Sequence, residues 1–129
     1  MKQAILCVDD EKMILDSLSV QLYRAFGNSY YYEFAESPDE AFEVIEELQE
    51  DGMDIVIVLS DWLMPHMKGD EFLIRLHEQF PDTVKIMLSG QADPISVDKA
   101  RTEANLFSFL KKPWAEDELV GVLKEALSA

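Results

Sequence analysis

Asp54-Ile55-Val56-Ile57-Val58-Leu59-Ser60-Asp61-Trp62-Leu63 is the stretch whose reading decides the fold. Ile55 to Leu59 is an apolar, β-branched run with no polar alternation, the pattern of a strand covered on both faces. The run stops at a carboxylate, and Met64-Pro65-His66-Met67-Lys68-Gly69 follows, where Pro and Gly mark a loop. A charged residue at the carboxyl end of a central parallel strand lies where open α/β sheets bind ligands. The plain alternative is that Asp61 caps the next helix, since Asp is common at caps and strand ends.

Working outward, the same grammar repeats. Ala4 to Val8 reads as a first strand ending in Asp9-Asp10-Glu11. Ile14, Leu18, Leu22 and Ala25 then recur at helical spacing until Gly27-Asn28. Tyr30 to Phe34 is a second strand, its tyrosines read as amphipathic packing rather than a stacking platform because no basic residues accompany them. Ser37-Pro38-Asp39-Glu40 is a helix start, with Ser37 as N-cap, Pro38 in the first turn and Glu40 completing a capping box. Ala41, Val44, Ile45 and Leu48 form that helix's inward stripe, and Gly52 closes it.

Beyond Asp61, the residues Phe72, Leu73, Leu76 and Phe80 mark a third helix, stopped by Pro81-Asp82. Lys85 to Leu88 is a fourth strand ending at Ser89-Gly90. A fourth helix runs from an Asp93 N-cap to Asn105 on a thin apolar face of Ile95, Val97, Ala100 and Ala104. Phe107 to Leu110 is the fifth strand, entering Lys111-Lys112-Pro113-Trp114, and Leu119, Val122, Leu123, Ala126 and Leu127 stripe the last helix. Strands alternating with helices imply right-handed crossovers and a parallel sheet covered on both faces. The expected fold is a flavodoxin-like (βα)5 three-layer sandwich with strand order 2-1-3-4-5, one domain over residues 1–129.

Composition removes several function classes. The 129 residues carry 26 Asp and Glu against 11 Lys and Arg, a net charge of −15, which argues against this domain binding nucleic acid. No apolar stretch approaches the ~20 residues of a membrane span, and the start lacks a secretory cleavage signal. The single cysteine, Cys7, lies inside the first strand, excludes an internal disulfide and fits a reducing, cytoplasmic setting as a packed thiol. His66 and His77 have no Cys or His partner at zinc spacing and read as surface residues, and no Gly-rich loop is available to cradle a nucleotide.

In a parallel sheet the strand ends share one rim. Asp9 and Asp10, Asp61, Ser89 and Lys112 all fall there, on strands that are neighbours in the expected order and only ~5 Å apart. Carboxylates so close raise one another's pKa, and a hard divalent cation is the remedy. Mg²⁺, or Mn²⁺ in its place, takes one or two carboxylates, keeps several waters and accepts a phosphate oxygen. Lys112 and the Ser89 hydroxyl supply a charge and a donor for an anion beside the metal. The set is equipment for phosphoryl transfer with Asp as nucleophile.

Val8-Asp9-Asp10-Glu11, Ser60-Asp61-Trp62-Leu63-Met64-Pro65 with Gly69, Met87-Leu88-Ser89-Gly90 and Phe109-Leu110-Lys111-Lys112-Pro113-Trp114 together resemble a receiver domain of two-component response regulators. The resemblance spans essentially the whole chain. It implies that Asp61 is the phosphoacceptor, modified by a sensor histidine kinase or a phosphotransfer protein. It implies that Asp10, Asp61 and the Leu63 carbonyl bind Mg²⁺ directly, with Asp9 acting largely through water. Lys112 would hold one phosphoryl oxygen, and Ser89 with the Gly90 N–H another. Phe109 matches the aromatic switch position but lacks a tyrosine's hydroxyl, and Lys112-Pro113 matches a peptide bond that is usually cis.

The resemblance implies a switch rather than a turnover enzyme, acting on an effector protein or output domain through the fourth helix, fifth strand and fifth helix. Lys-Pro-Trp before an acidic helix resembles receivers found ahead of signalling phosphohydrolases. A homodimer stays open. Two other readings compete: a small Mg²⁺-dependent aspartate-nucleophile phosphatase, and a receiver-like interaction module that works without phosphate. The phosphatase commonly needs a second carboxylate two residues past the nucleophile, where this chain has Leu63; the intact set of Asp9, Asp10, Asp61, Ser89 and Lys112 speaks against the module.

Overall fold

A computed structural model describes residues 2–65, 67–91 and 94–128. Strands β1 (Gln3–Val8), β2 (Tyr31–Ala35), β3 (Asp54–Asp61), β4 (Val84–Ser89) and β5 (Ser108–Lys111) alternate with helices α1 (Lys12–Phe26), α2 (Pro38–Glu50), α3 (Gly69–Gln79), α4 (Pro94–Glu103) and α5 (Glu116–Ser128). Every strand pairing is parallel and the order is β2-β1-β3-β4-β5, as the sequence pattern requires.

The apolar run of β3 is buried on both faces because successive side chains serve different cores. Val58 joins Leu6, Met87, Leu73 and Ala100 beneath α2, α3 and α4. Ile57 and Leu59 join Ile5, Cys7, Leu88, Leu18 and Leu123 beneath α1 and α5. Cys7 is fully buried, and burial followed by the charge of Asp9 drives its thiol far above the ordinary range, so it packs as a small apolar group.

Local signals behave as the sequence dictates, with instructive offsets. Ser37 caps α2 by accepting the Glu40 N–H at 3.1 Å. Glu40 reaches back one residue further than a capping box would, to the Glu36 N–H at 3.4 Å rather than to Ser37. On α1 the buried stripe is Leu15, Leu18 and Leu22, so Ile14 and Ala25 sit at its half-buried margin. A short 3-10 turn at Gly27–Ser29 delays β2, which starts at Tyr31 rather than Tyr30. Tyr32 donates its hydroxyl to the Gly27 carbonyl at 2.8 Å and its ring faces Tyr23, which is strand packing as expected.

Helix α4 ends at Glu103, before the expected Asn105, which takes a left-handed φ of 52° and turns the chain into β5. Its apolar face is thinner still than the spacing indicates, since only Ala100 within it is buried and Ile95 is 81% exposed. Strand β5 begins at Ser108, one residue after Phe107. The expected Asp93 cap of α4, and His66, lie outside the described residues.

Candidate functional site

The register of the sheet builds the site. Val8 lies opposite Ser60, so the next residues, Asp9 and Asp61, leave their strands side by side. Asp61 lies opposite Leu88, and Ser89 opposite Lys111, which puts Ser89 and then Lys112 on the same rim. Asp9 is fully buried, Asp61 is 5% exposed and Ser89 is 2% exposed. Such burial of carboxylates is costly unless partners or a cation compensate.

Carboxylate oxygens of Asp9, Asp10 and Asp61 all lie within 4.8 Å of one another. Lys112 crosses from the end of β5 to this cluster, its Nζ 2.7 Å from Asp9 Oδ2 and 3.1 Å from Asp61 Oδ1, with Glu11 Oε1 at 4.0 Å. Burial, then the charge of Asp9, pushes the Asp61 carboxyl up; Lys112 pulls it back by charge and hydrogen bond, Asp10 adds to the rise, and the outcome is a pKa of about 6. Burial pulls the Lys112 ammonium down, but its bonds to Asp9 and Asp61 and their charges outweigh this and hold it above its ordinary value.

Three carboxylates against one ammonium leave two formal negative charges, which one divalent cation neutralises. The donors are all hard oxygens, the chemistry that suits Mg²⁺ rather than a soft metal. This acidic triad is typical of the Mg²⁺ site in receivers. The cluster opens into a cleft of about 520 Å³ lined by Asp10, Glu11, Asp61, Leu63, Met64, Pro65, Ser89, Gly90, Gln91 and Lys112.

Around this centre the other predicted residues fall as follows. The Ser89 hydroxyl accepts the Gln91 N–H at 2.9 Å. Gly90 is exposed on the cleft wall, with Lys112 as its neighbour. Leu63 turns its side chain outward, 48% exposed, as a residue two past Asp61 at the cleft mouth. Phe109 is half-buried against the core beneath α2, α3 and α4 rather than in the cleft. The Lys112–Pro113 peptide is cis. Trp114 is fixed beside it by donating Nε1–H to Gln21 Oε1 at 2.8 Å.

Three features escape a reading of the sequence. Gly69 is pressed onto the backbone of Asp61 and Trp62, a close approach that neither its place in the loop nor its place in the motif with Asp61 gives a physical reason for. Trp62 is buried with Lys68 over its ring at 5.3 Å, a cation–π contact that spacing within one loop could have signalled. His77 is half-buried rather than a surface residue, because its Nδ1 lies 2.8 Å from the ammonium of buried Lys85.

Comparison with known proteins closes the case for the family. Residues 5–124 match the response regulator receiver domain. The hydrogenase transcriptional regulatory protein HoxA of Cupriavidus necator is 30% identical over 129 residues, covering 99% of this chain but 25% of its own length. The signal receiver domain of an HD domain-containing protein from Pseudomonas fluorescens Pf-5 superposes with a TM-score of 0.87 at 30% identity, covering 99% of this chain and 96% of that one. The beryllofluoride-activated NtrC4 receiver domain dimer gives a TM-score of 0.82 at 29% identity, covering 97% and 96%.

Proposed function

The chain belongs to the response regulator receiver domain family, and from that premise we propose that it is a phosphorylation-controlled switch with Asp61 as its acceptor. One observation carries the reading: Lys112, Asp9, Asp10 and Asp61, from three strand ends, meet within hydrogen-bonding or metal-ligand reach of one another. Receivers are generally signalling switches rather than turnover enzymes. They pair with histidine kinases.

In the proposed reaction an Asp61 carboxylate oxygen attacks the phosphorus of a phosphohistidine on a sensor kinase or phosphotransfer protein. The new bond is O–P on Asp61, the P–N bond breaks, and its electron pair stays on the imidazole. Asp61, carrying a pKa of about 6, is ionised at neutral pH and more basic than an ordinary carboxylate. Lys112 is already held against the acceptor and meets the developing charge on the equatorial oxygens. Ser89 and the Gly90 N–H receive another phosphoryl oxygen. Asp10, Asp61 and the Leu63 carbonyl would hold Mg²⁺ or Mn²⁺, with Asp9 behind them. When bound, the cation neutralises the acidic triad and the incoming phosphoryl group.

We assign one domain to residues 1–129, its setting the cytoplasm; no helix of the described residues is long and apolar enough to cross a membrane. The output runs through α4, β5 and α5. Few apolar anchors hold α4, so a phosphoryl group that draws Ser89 inward and frees space for Phe109 can shift it at low cost. This chain matches 25% of the length of HoxA, a transcriptional regulatory protein, the Pf-5 receiver domain is that of an HD domain-containing protein, and the beryllofluoride-activated NtrC4 receiver domain is a dimer. An effector protein, an output domain or a second copy is therefore the class of partner this face would serve. The phosphatase alternative is disfavoured by exposed, apolar Leu63, which supplies no acid or base.

Trp62, next to the acceptor, makes the test direct. Its fluorescence is titrated with Mg²⁺, with and without beryllofluoride, in the parent and in Asp61→Asn. The expected result is a beryllofluoride-dependent response in the parent that is lost in the variant. The same response in both would overturn the assignment.

A further inference from the structure

We propose that Gly69 is a positioning residue for the chemistry at Asp61: the first residue of α3 is seated on the acceptor's own peptide unit and fixes its orientation. The inference rests on Asp61 being the acceptor.

Gly69 is absent from the residues with a left-handed φ, so its backbone conformation is open to any amino acid. Space, not conformation, requires glycine. A Cβ placed there would overlap the Asp61 carbonyl oxygen and lie 2.7 Å from Trp62 Cα and 2.9 Å from the Asp61 carbonyl carbon. All three are backbone atoms, which cannot swing aside as a side-chain tip can. The Gly69 N–H also donates to the Trp62 carbonyl at 2.6 Å, closing the loop between β3 and α3.

Two further contacts hold the same peptide unit. The Ser60 hydroxyl donates to the Asp61 carbonyl at 3.0 Å, and the Trp62 N–H donates to the Leu88 carbonyl of β4 at 3.1 Å. The acceptor's backbone is thus gripped from its own strand, from the next strand and from α3. Only the grip from α3 is steric, and it also fixes the ends of the loop that carries Leu63. Reaction geometry is sensitive to this: a displacement of about 1 Å costs on the order of 100-fold in rate. A bulkier residue at 69 must push α3 away from Asp61 or tilt the Asp61 peptide.

Gly69→Ala is compared with the parent by three measurements: thermal unfolding, the upward shift of Tm on adding Mg²⁺ alone, and the rate of phosphoryl uptake from acetyl phosphate at saturating Mg²⁺. Ile45→Val, a core change on α2 remote from Asp61, controls for lost stability. We expect Gly69→Ala to take up phosphoryl about 10- to 100-fold more slowly even when saturated with Mg²⁺, and Ile45→Val to keep the parental rate. Parental uptake by folded Gly69→Ala, or equal slowing in Ile45→Val, would overturn the proposal. Should Gly69→Ala not fold, Ser60→Ala decides, because it releases the same carbonyl without adding bulk: slowed uptake supports the grip and unchanged uptake overturns it. A parent that takes up no phosphoryl group would instead defeat the acceptor assignment itself.

Discussion

Two lysines are withdrawn from water at opposite ends of this sheet, and their environments have opposite effects on them. Lys112, 15% exposed at the carboxyl rim, sits between the carboxylates of Asp9 and Asp61, whose attraction outweighs the cost of burial and raises its pKa. Lys85, 1% exposed near the start of β4, has a His77 ring nitrogen at 2.8 Å and the Pro81 carbonyl at 3.4 Å. Burial lowers its pKa, and the charge of Asp82 only partly opposes that. The same ion is therefore held by carboxylates at one end and by a ring nitrogen and a backbone carbonyl at the other. The first arrangement leaves an excess of negative charge that calls for a cation and tolerates an incoming anion. The second ties α3 to β4.

The widest separation between the two ends is in reactivity. Lys112→Gln keeps a donor but removes the charge that faces Asp61, and should slow phosphoryl uptake from acetyl phosphate by about 100- to 1,000-fold, the usual cost of losing one preorganised donor at a developing charge. Lys85→Met should stay within about twofold of the parent, since nothing connects its ammonium to the cleft. Comparable losses in both variants would erase the distinction.

The next effect is on stability, and it has the sign expected of a reactive site. Asp61 is raised from an ordinary value of 3.8 to about 6. A carboxyl whose folded pKa lies above its unfolded value contributes stability below about pH 3.8 and loses it as pH climbs through about 6. Asp61→Asn imitates the neutral form. It should therefore be more stable than the parent at pH 7 without metal, by about 3 kcal/mol at ~1.36 kcal/mol per pKa unit, and no more stable below pH 4. Denaturant melts at the two pH values read this out. A destabilised Asp61→Asn at pH 7 would mean that Lys112 already compensates the cluster in full.

This contrast also marks what the sequence could reveal. The rim was legible because its residues follow recognisable runs: β-branched strands announce their own ends, and a parallel sheet gathers those ends. Asp9, Asp10, Asp61, Ser89 and Lys112 needed only the strand order to be brought together, and the order holds. Lys85 was invisible by the same logic. In Lys85-Ile86-Met87-Leu88 it reads as the polar start of a strand, and its partner His77 belongs to a different element whose rotation about its axis no local spacing fixes. Gly69 was legible as a loop glycine and as part of the motif with Asp61, but not as a packing contact, because close approach is a property of two segments, not one. Ile95 counted towards a thin apolar face, yet the helix turns it out to solvent, while Ala100, half-buried Val97 and, just past the helix, Ala104 face the core.

The smallest effect tests the quiet end of the sheet. Lys85 has a folded pKa below the ~10.4 of an exposed lysine. Between that depressed value and about 10.4 the unfolded chain holds a proton that the folded one has released, so stability rises with pH across the window. Below the window the full cost of burying the ammonium applies. Lys85→Met removes the group and fills the same slot between α3 and β4 with an apolar side chain of similar length. Its stability should exceed the parent's at pH 7 by about 1 kcal/mol, the low end for replacing a buried charge, and the advantage should shrink as pH approaches 10. A constant difference across the range would assign the change to packing alone. A loss at pH 7 would show that the bond to His77 more than offsets the desolvation of Lys85, making the two ends of the sheet alike in balance and different only in what faces the cleft.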